Sequence, residues 1–147
     1  MTVVRTIPFS GQIKKQCEAA WASVEDDCNK ILQPDNGNMK FFYPTEDCSL
    51  TIKYIQDEYP QQAASSLELY KGKPRKISDY RHAGFVYFPG DTVIESFTIV
   101  VPLRISGQVK IGEVTMDEKH YYHVLNKAML SVMVDSRLEA IAVSKIQ

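Results

Sequence analysis

The sequence predicts a single α+β domain over residues 1–147, in which a mostly antiparallel β-sheet is covered by an N-terminal and a C-terminal helix. Three stretches indicate this class: a one-sided apolar stripe over 11–33, an alternating stretch over 97–116, and a densely apolar stretch over 116–134. A chain of 147 residues has the length of one domain. No linker or internal repeat divides the sequence.

Residues 11–33 have the pattern of an amphipathic helix. Ser10 is a suitable N-cap, and Pro34 ends the pattern. Because the stripe covers one side only, we expect the helix to pack on a sheet. Its apolar residues, at steps of three and four, are Ile13, Cys17, Ala20, Trp21, Val24, Cys28, Ile31 and Leu32.

Residues 97–116 are typical of a β-hairpin with its turn at Ser106-Gly107. Gly107 can adopt a positive φ without steric cost, and Pro102, which has no N–H group, should lie at a bulge or on an edge. Alternation also predicts strands over residues 2–7, 39–43, 49–56, 66–70 and 84–88.

Residues 116–134 are predicted to form the second helix, because Thr115-Met116-Asp117-Glu118 matches a capping box. Two interpretations of the chain beyond it stay open: the helix continues to 146, or residues 138–146 form a last strand. The apolar residues of the helix fall on two lines, Val124, Ala128 and Val132 on one and Leu125, Met129 and Met133 on the other.

A helix that is apolar on two sides needs partners on two sides. One partner would be the sheet, and the other would be a loop of the same chain or a second subunit. The chain also contains eight tyrosines, a residue type that interfaces favour. We therefore predict a homo-oligomer or a protein assembly, with an interface formed by Tyr121, Tyr122, Leu125, Met129 and Met133.

A basic stretch interleaved with aromatic residues follows the middle of the chain. Such a pattern is found on surfaces that bind single-stranded nucleic acid, on partner-docking loops and on plain solvated loops. The net charge of −1 argues against nucleic acid. The residues of this candidate loop are Lys71, Lys73, Arg75, Lys76 and Arg81.

No motif in the sequence identifies a catalytic, metal or cofactor site. His120 and His123 are three residues apart, but no third ligand accompanies them. Cys17 and Cys28 lie on an apolar stripe, where a thiol behaves as a small hydrophobic group. We expect no metal and no cofactor, and the missing catalytic motifs favour a protein that is not an enzyme.

The sequence also bears on location. No apolar run reaches the ~18 residues of a membrane span, and the N-terminus has no signal-peptide pattern. Three cysteines make a poor disulfide framework, so we expect a cytoplasmic protein that does not act at a membrane.

The leading functional hypothesis is a non-catalytic small subunit that self-associates or docks into a larger assembly, such as a virion, a secretion apparatus or an inhibitor complex. The predicted order of strand, long helix, about six strands and long helix resembles the helix-grip arrangement. That resemblance implies the alternative, a small-molecule ligand in a cavity between the sheet and the C-terminal helix. A cytosolic enzyme with a site recognisable only in the fold is the third hypothesis.

Overall fold

The architecture is set by two helices and ten strands in the part of the chain that the computed structural model describes, residues 3–62 and 80–145. The α+β class with a mostly antiparallel sheet is confirmed. In chain order, the elements are β1 Val4–Pro8, α1 Gly11–Asn29, β2 Met39–Phe42, α2 Glu46–Gln62, β3 Tyr80–Tyr87, β4 Gly90–Ile94, β5 Ile99–Ser106, β6 Val109–Ile111, β7 Val114–Thr115, β8 His120–Val124, β9 Ala128–Val132 and β10 Arg137–Lys145.

The strands form two antiparallel sheets. The large sheet has the order β1-β8-β5-β10-β3-β2, and the small sheet has the order β4-β9-β6-β7. Side chains of β5 alternate between two apolar clusters: Ile99 and Val101 pack with the helices, and Val100 packs with the small sheet. The large sheet is therefore the middle of three layers, with α1 and α2 on one face and the small sheet on the other.

Helix α1 begins after Ser10, whose Oγ accepts a hydrogen bond from the Ile13 N–H at 3.2 Å. It ends at Asn29, four residues before the end of the predicted stretch. Its buried stripe packs against α2 and the large sheet and consists of Ile13, Cys17, Ala20, Val24 and Cys28.

The strand predicted over residues 49–56 is wrong, because these residues lie in α2. Leu50, Ile52 and Tyr54 alternate as in a strand, but only Ile52 is buried. The residues that enter the core lie at helical steps of three and four, and they are Cys48, Ile52, Ile55 and Tyr59.

The C-terminal helix predicted over 116–134 is also wrong, since this segment contains β8 and β9. In β8, Tyr121 packs with the helices and Tyr122 packs with the small sheet. A strand covered on both faces is apolar on both faces, which is a pattern that a buried helix shares. The apparent capping box is a local turn in which the Asp117 carboxylate accepts hydrogen bonds from the Lys119 N–H and His120 Nδ1.

This correction removes the element on which the helix-grip resemblance depended. A cavity between the sheet and a C-terminal helix has no counterpart in residues 116–145. Of the two open interpretations for the end of the chain, the structure has the strand, β10, which lies between β5 and β3.

The hairpin predicted over 97–116 differs in its pairing. Gly107 has a φ of +80° and turns the chain, as expected. However, β5 belongs to the large sheet and β6 to the small sheet, so the two strands are not neighbours. The turn therefore carries the chain from one layer to the other. Pro102 lies beside a register shift in the β5–β10 pairing, where a missing N–H is tolerated.

Candidate functional site

Strand β2 forms one edge of the large sheet and exposes apolar side chains. Strand β2 is the last strand of the large sheet and pairs with β3 only. Its outward side chains are large and apolar: Met39 is 37% exposed and Phe41 is 67% exposed. Tyr43, directly after the strand, is 93% exposed.

The backbone of β2 also has hydrogen-bonding groups that point away from β3. The Phe88 N–H donates to the Asn38 carbonyl at 2.8 Å, so this pair is a hydrogen-bonded pair of the ladder. Because bonded and non-bonded pairs alternate in an antiparallel ladder, Lys40 and Phe42 bond to β3. The N–H and C=O groups of Met39 and Phe41 then point outward, which makes the edge a template for another strand.

An aromatic row runs from this edge onto the neighbouring strand β3. The Phe41 and Phe85 ring centroids are 5.0 Å apart, and the Phe85 and Tyr87 rings stack at 5.7 Å. A groove of about 210 Å³ continues the row between β3 and β4, with Met39 at its rim. The edge therefore offers an apolar surface beside its free backbone groups.

Phe42 explains why β2 stays attached while Phe41 remains outside. Its ring is buried on the helix side, in the same core as Cys48 and Val86. The ring lies over Gly84, where an added Cβ would be 2.5 Å from Phe42 Cε2. Glycine at this position lets the ring lie flat on β3, which anchors the edge strand.

The structure does not bring the five predicted interface residues together. Tyr121 and Tyr122 are fully buried within the single chain, on opposite faces of β8. Leu125 and Met133 are half-buried, and Met129 is 43% exposed on the outer face of the small sheet, opposite Val93. Of these five residues, Met129 is the one whose side chain is exposed to a partner.

Sequence reasoning predicted a strand over 39–43 but did not recognise it as an interface. A usable signal was present: Met39, Phe41, Phe42 and Tyr43 are all apolar or aromatic, on both parities of one short strand. A central strand covered on both sides would also show this pattern, so the edge position needed the fold.

Of the predicted basic loop, Arg81 lies exposed on β3. The other four residues, Lys71, Lys73, Arg75 and Lys76, lie outside the described residues.

The two histidines considered as metal ligands point to different places. His120 is half-buried and pairs with the Asp117 carboxylate at 2.7 Å. His123 is fully buried, and its Nδ1 shares a hydrogen bond with the Tyr59 hydroxyl. Within residues 3–62 and 80–145, no group of three or more His, Cys, Asp or Glu side chains is placed to hold a metal.

The three cysteines are buried and not bonded to one another. Burial raises the pKa of the Cys17 and Cys28 thiols to about 12, so neither is a thiolate near neutral pH. Among the described residues, Ser49 Oγ and His82 Nε2 form a pair of nucleophile–base type and are 3.2 Å apart. The described residues place no carboxylate in hydrogen-bonding contact with His82, so this pair is not a triad.

No protein-family model matches the chain, and no curated protein matches it. None of the described helices has the length and apolar character needed to cross a bilayer.

Proposed function

We propose that the protein is a non-catalytic subunit that self-associates by antiparallel pairing of two β2 edges. The observation that carries this proposal is the coincidence, at Met39 and Phe41, of exposed apolar side chains and outward backbone groups. A twofold interface needs a surface that complements itself. A strand edge is such a surface, because it can pair with a second copy of itself in antiparallel orientation. Pairing would extend the large sheet across two copies.

Charge also supports a second copy as the occupant. Lys40 is the only charged residue of β2. If the two Phe41 residues face each other, Lys40 lies opposite Phe42 of the other copy, and no like charges are opposed. The chain's net charge of −1 adds little repulsion between copies. Docking into a larger assembly would use the same edge with a different strand.

Light scattering at micromolar concentration tests the proposal. We expect wild-type protein to scatter as a dimer and Phe41→Glu to scatter as a monomer with an unchanged circular dichroism spectrum. A charged side chain at the centre of the paired edges would be desolvated without a partner. Met129→Glu is the matched control, since it puts the same charge on the other exposed apolar position.

The results separate the two surfaces. If Met129→Glu dissociates the protein and Phe41→Glu does not, the outer face of the small sheet is the interface. A wild-type protein that remains monomeric well above micromolar concentration contradicts self-association altogether.

We also infer that the protein works in a reducing compartment such as the cytoplasm. This is supported by the three buried cysteines, which remain thiols although all belong to the same core.

A further inference from the structure

A groove on the helix side of the large sheet lies between α1, the second half of β5 and the start of β8. The β5–β8 ladder ends at Val100, which pairs with Tyr122. Further along β5, the Ile105 N–H donates to the Glu118 carboxylate at 3.1 Å instead of to a strand. The two strands therefore separate, and the groove that they leave beside α1 has a volume of about 310 Å³.

The floor of this groove is apolar. Helix α1 contributes Cys17 and Trp21, which are four positions apart and so lie on one face of the helix. Leu103 of β5 and Phe9 complete the floor from the sheet. All four side chains belong to the core on the helix side of the sheet or pack against it. Trp21 and Phe9 are half-buried, so their rings remain accessible from the groove.

Charged side chains of both signs surround the floor. Lys14 and Glu18 are one turn apart on α1, on the same face as Trp21. Glu118 and Lys119 lie on the other wall, in the turn before β8. All four charged residues are exposed, and none of them forms an ion pair within the part of the chain that the structure describes. Each wall therefore keeps one cation and one carboxylate available to a ligand.

Hydrogen bonds hold the wall formed by the turn in place. The Lys119 N–H donates to the Asp117 carboxylate at 2.8 Å, and the Phe9 N–H donates to the Lys119 carbonyl at 2.9 Å. The bond from Ile105 fixes the Glu118 carboxylate in the same way. The other wall is a helix, so little order has to be gained when a ligand binds.

From this arrangement we propose that the groove binds a free amino acid with a large apolar side chain. The floor covers the side chain, and the lysines and glutamates attract the carboxylate and the ammonium group. A purely apolar ligand engages none of these charges, and a ligand with a single charge meets a like charge on each wall. The volume is at the lower end of the ~300–1,000 Å³ of small-molecule pockets, which suits a ligand of amino-acid size.

Tryptophan fluorescence with L-phenylalanine as the probe tests this site, because Trp21 is the single tryptophan of the chain. L-phenylalanine is expected to change the fluorescence along a saturable curve and to raise the melting temperature. Glycine has the same two charges without the side chain, so it should do neither at the same concentrations. If glycine binds as well as L-phenylalanine, the apolar floor is not used and the proposal is wrong.

Two analogues test the charges separately. Phenethylamine lacks the carboxylate, and N-acetyl-L-phenylalanine lacks the ammonium group. Each should bind more weakly than L-phenylalanine, because each leaves one sign of charge on the walls unmatched. Equal binding of either analogue contradicts the assignment of an amino acid.

Variants locate the effect. Lys14→Gln and Glu18→Gln should each weaken the apparent affinity for L-phenylalanine about fivefold, since each removes one partly exposed charge contact. Lys15→Gln is the matched control, because Lys15 is an exposed cation of α1 outside the lining of the groove. An equal loss in all three variants, or no saturable change in wild type, overturns the proposal.

The outcome is independent of the β2 edge. Phe41→Glu should retain binding of L-phenylalanine, and Lys14→Gln should retain the oligomeric state. A failure of one proposal can therefore be distinguished from a failure of the other.

Discussion

His123 is a buried base whose neutral form the fold requires. Burial, and secondarily the positive charge of Arg5, lower its pKa from 6.5 to about 4. Arg5 is its direct cross-strand neighbour on β1, and the Tyr59 hydroxyl contacts it from α2. Protonation in the folded state would therefore place a charge among apolar side chains and beside a cation.

The stability should depend on pH through this residue. Between pH 6.5 and about 4, His123 binds a proton in the unfolded chain but not in the folded one. Stability therefore falls as the pH falls through this range, by about 3 kcal/mol from this group when the loss is complete. Urea titrations of wild type and His123→Gln measure it; the variant's free energy of unfolding should fall less. Parallel curves would contradict the assignment.

At the same scale, the sequence could identify His120 and His123 as notable residues but not their surroundings. Their separation of three places them on one face of a helix and on opposite faces of a strand. The strand places His123 among the helices and leaves His120 with Asp117. The surroundings of each histidine therefore depend on whether the segment is a helix or a strand, and the residue spacing does not distinguish the two.

At the scale of elements, Arg137 connects the end of α1 to the start of β10. Its guanidinium donates to the Ile31 carbonyl at 3.0 Å and to the Cys28 carbonyl, which are at the C-terminal end of the helix. It also donates to the buried Glu139 carboxylate at 2.6 Å. Burial raises the pKa of Glu139, and Arg137 opposes that rise.

Removing Arg137 should therefore be costly. Arg137→Met leaves Glu139 buried without its hydrogen-bonded cation and removes the guanidinium donor from the Ile31 carbonyl, so we expect a loss of ~3–5 kcal/mol in the free energy of unfolding. Arg104→Met is the matched control. It removes an arginine that stacks over Trp21 at 5.3 Å and acts on Glu139 through its charge but without a hydrogen bond, so we expect a smaller loss of ~1 kcal/mol. Equal losses in the two variants would contradict the role of Arg137.

The elements that the sequence predicted wrongly share one physical cause. Residues 49–56 alternate in polarity although they are helical, and residues 121–124 are buried on both faces although they are extended. The spacing of apolar residues in a short stretch depends on its backbone conformation. It depends also on which of its faces are covered by neighbouring elements. The helix over residues 11–29 was easier to predict, because a long helix that is covered on one side repeats its apolar spacing over five turns.

At the scale of the whole molecule, the layering predicts where the structure is most stable. Strands β5 and β10 lie in the interior of the large sheet, with apolar clusters on both faces. Their amides should exchange with deuterium more slowly than those of the edge strands β2 and β4 in native-state exchange followed by NMR. Equal protection of β2 and β10 would contradict this order, unless the β2 edge is covered by a second copy. The Phe41→Glu variant removes that ambiguity.

The α+β class followed from the sequence because turn residues and apolar periods separate helices from strands on average. The assignment of β5 and β6 to different sheets did not follow, since Gly107 permits a hairpin and a crossing equally well. The open edge at β2 depends on strand order. Strand order comes from contacts between residues far apart in sequence, which local patterns do not contain.

The position of β10 has a consequence for how the protein is made. This strand joins β3 to β5, yet it comes from residues 137–145. During synthesis, the two halves of the large sheet cannot meet until this segment has left the ribosome. Until then, the apolar faces of α1 and α2 are not fully covered by the sheet, so the chain is prone to aggregation. Folding of this chain should thus be a late event, and nascent chains that stop before residue 137 should be bound by chaperones.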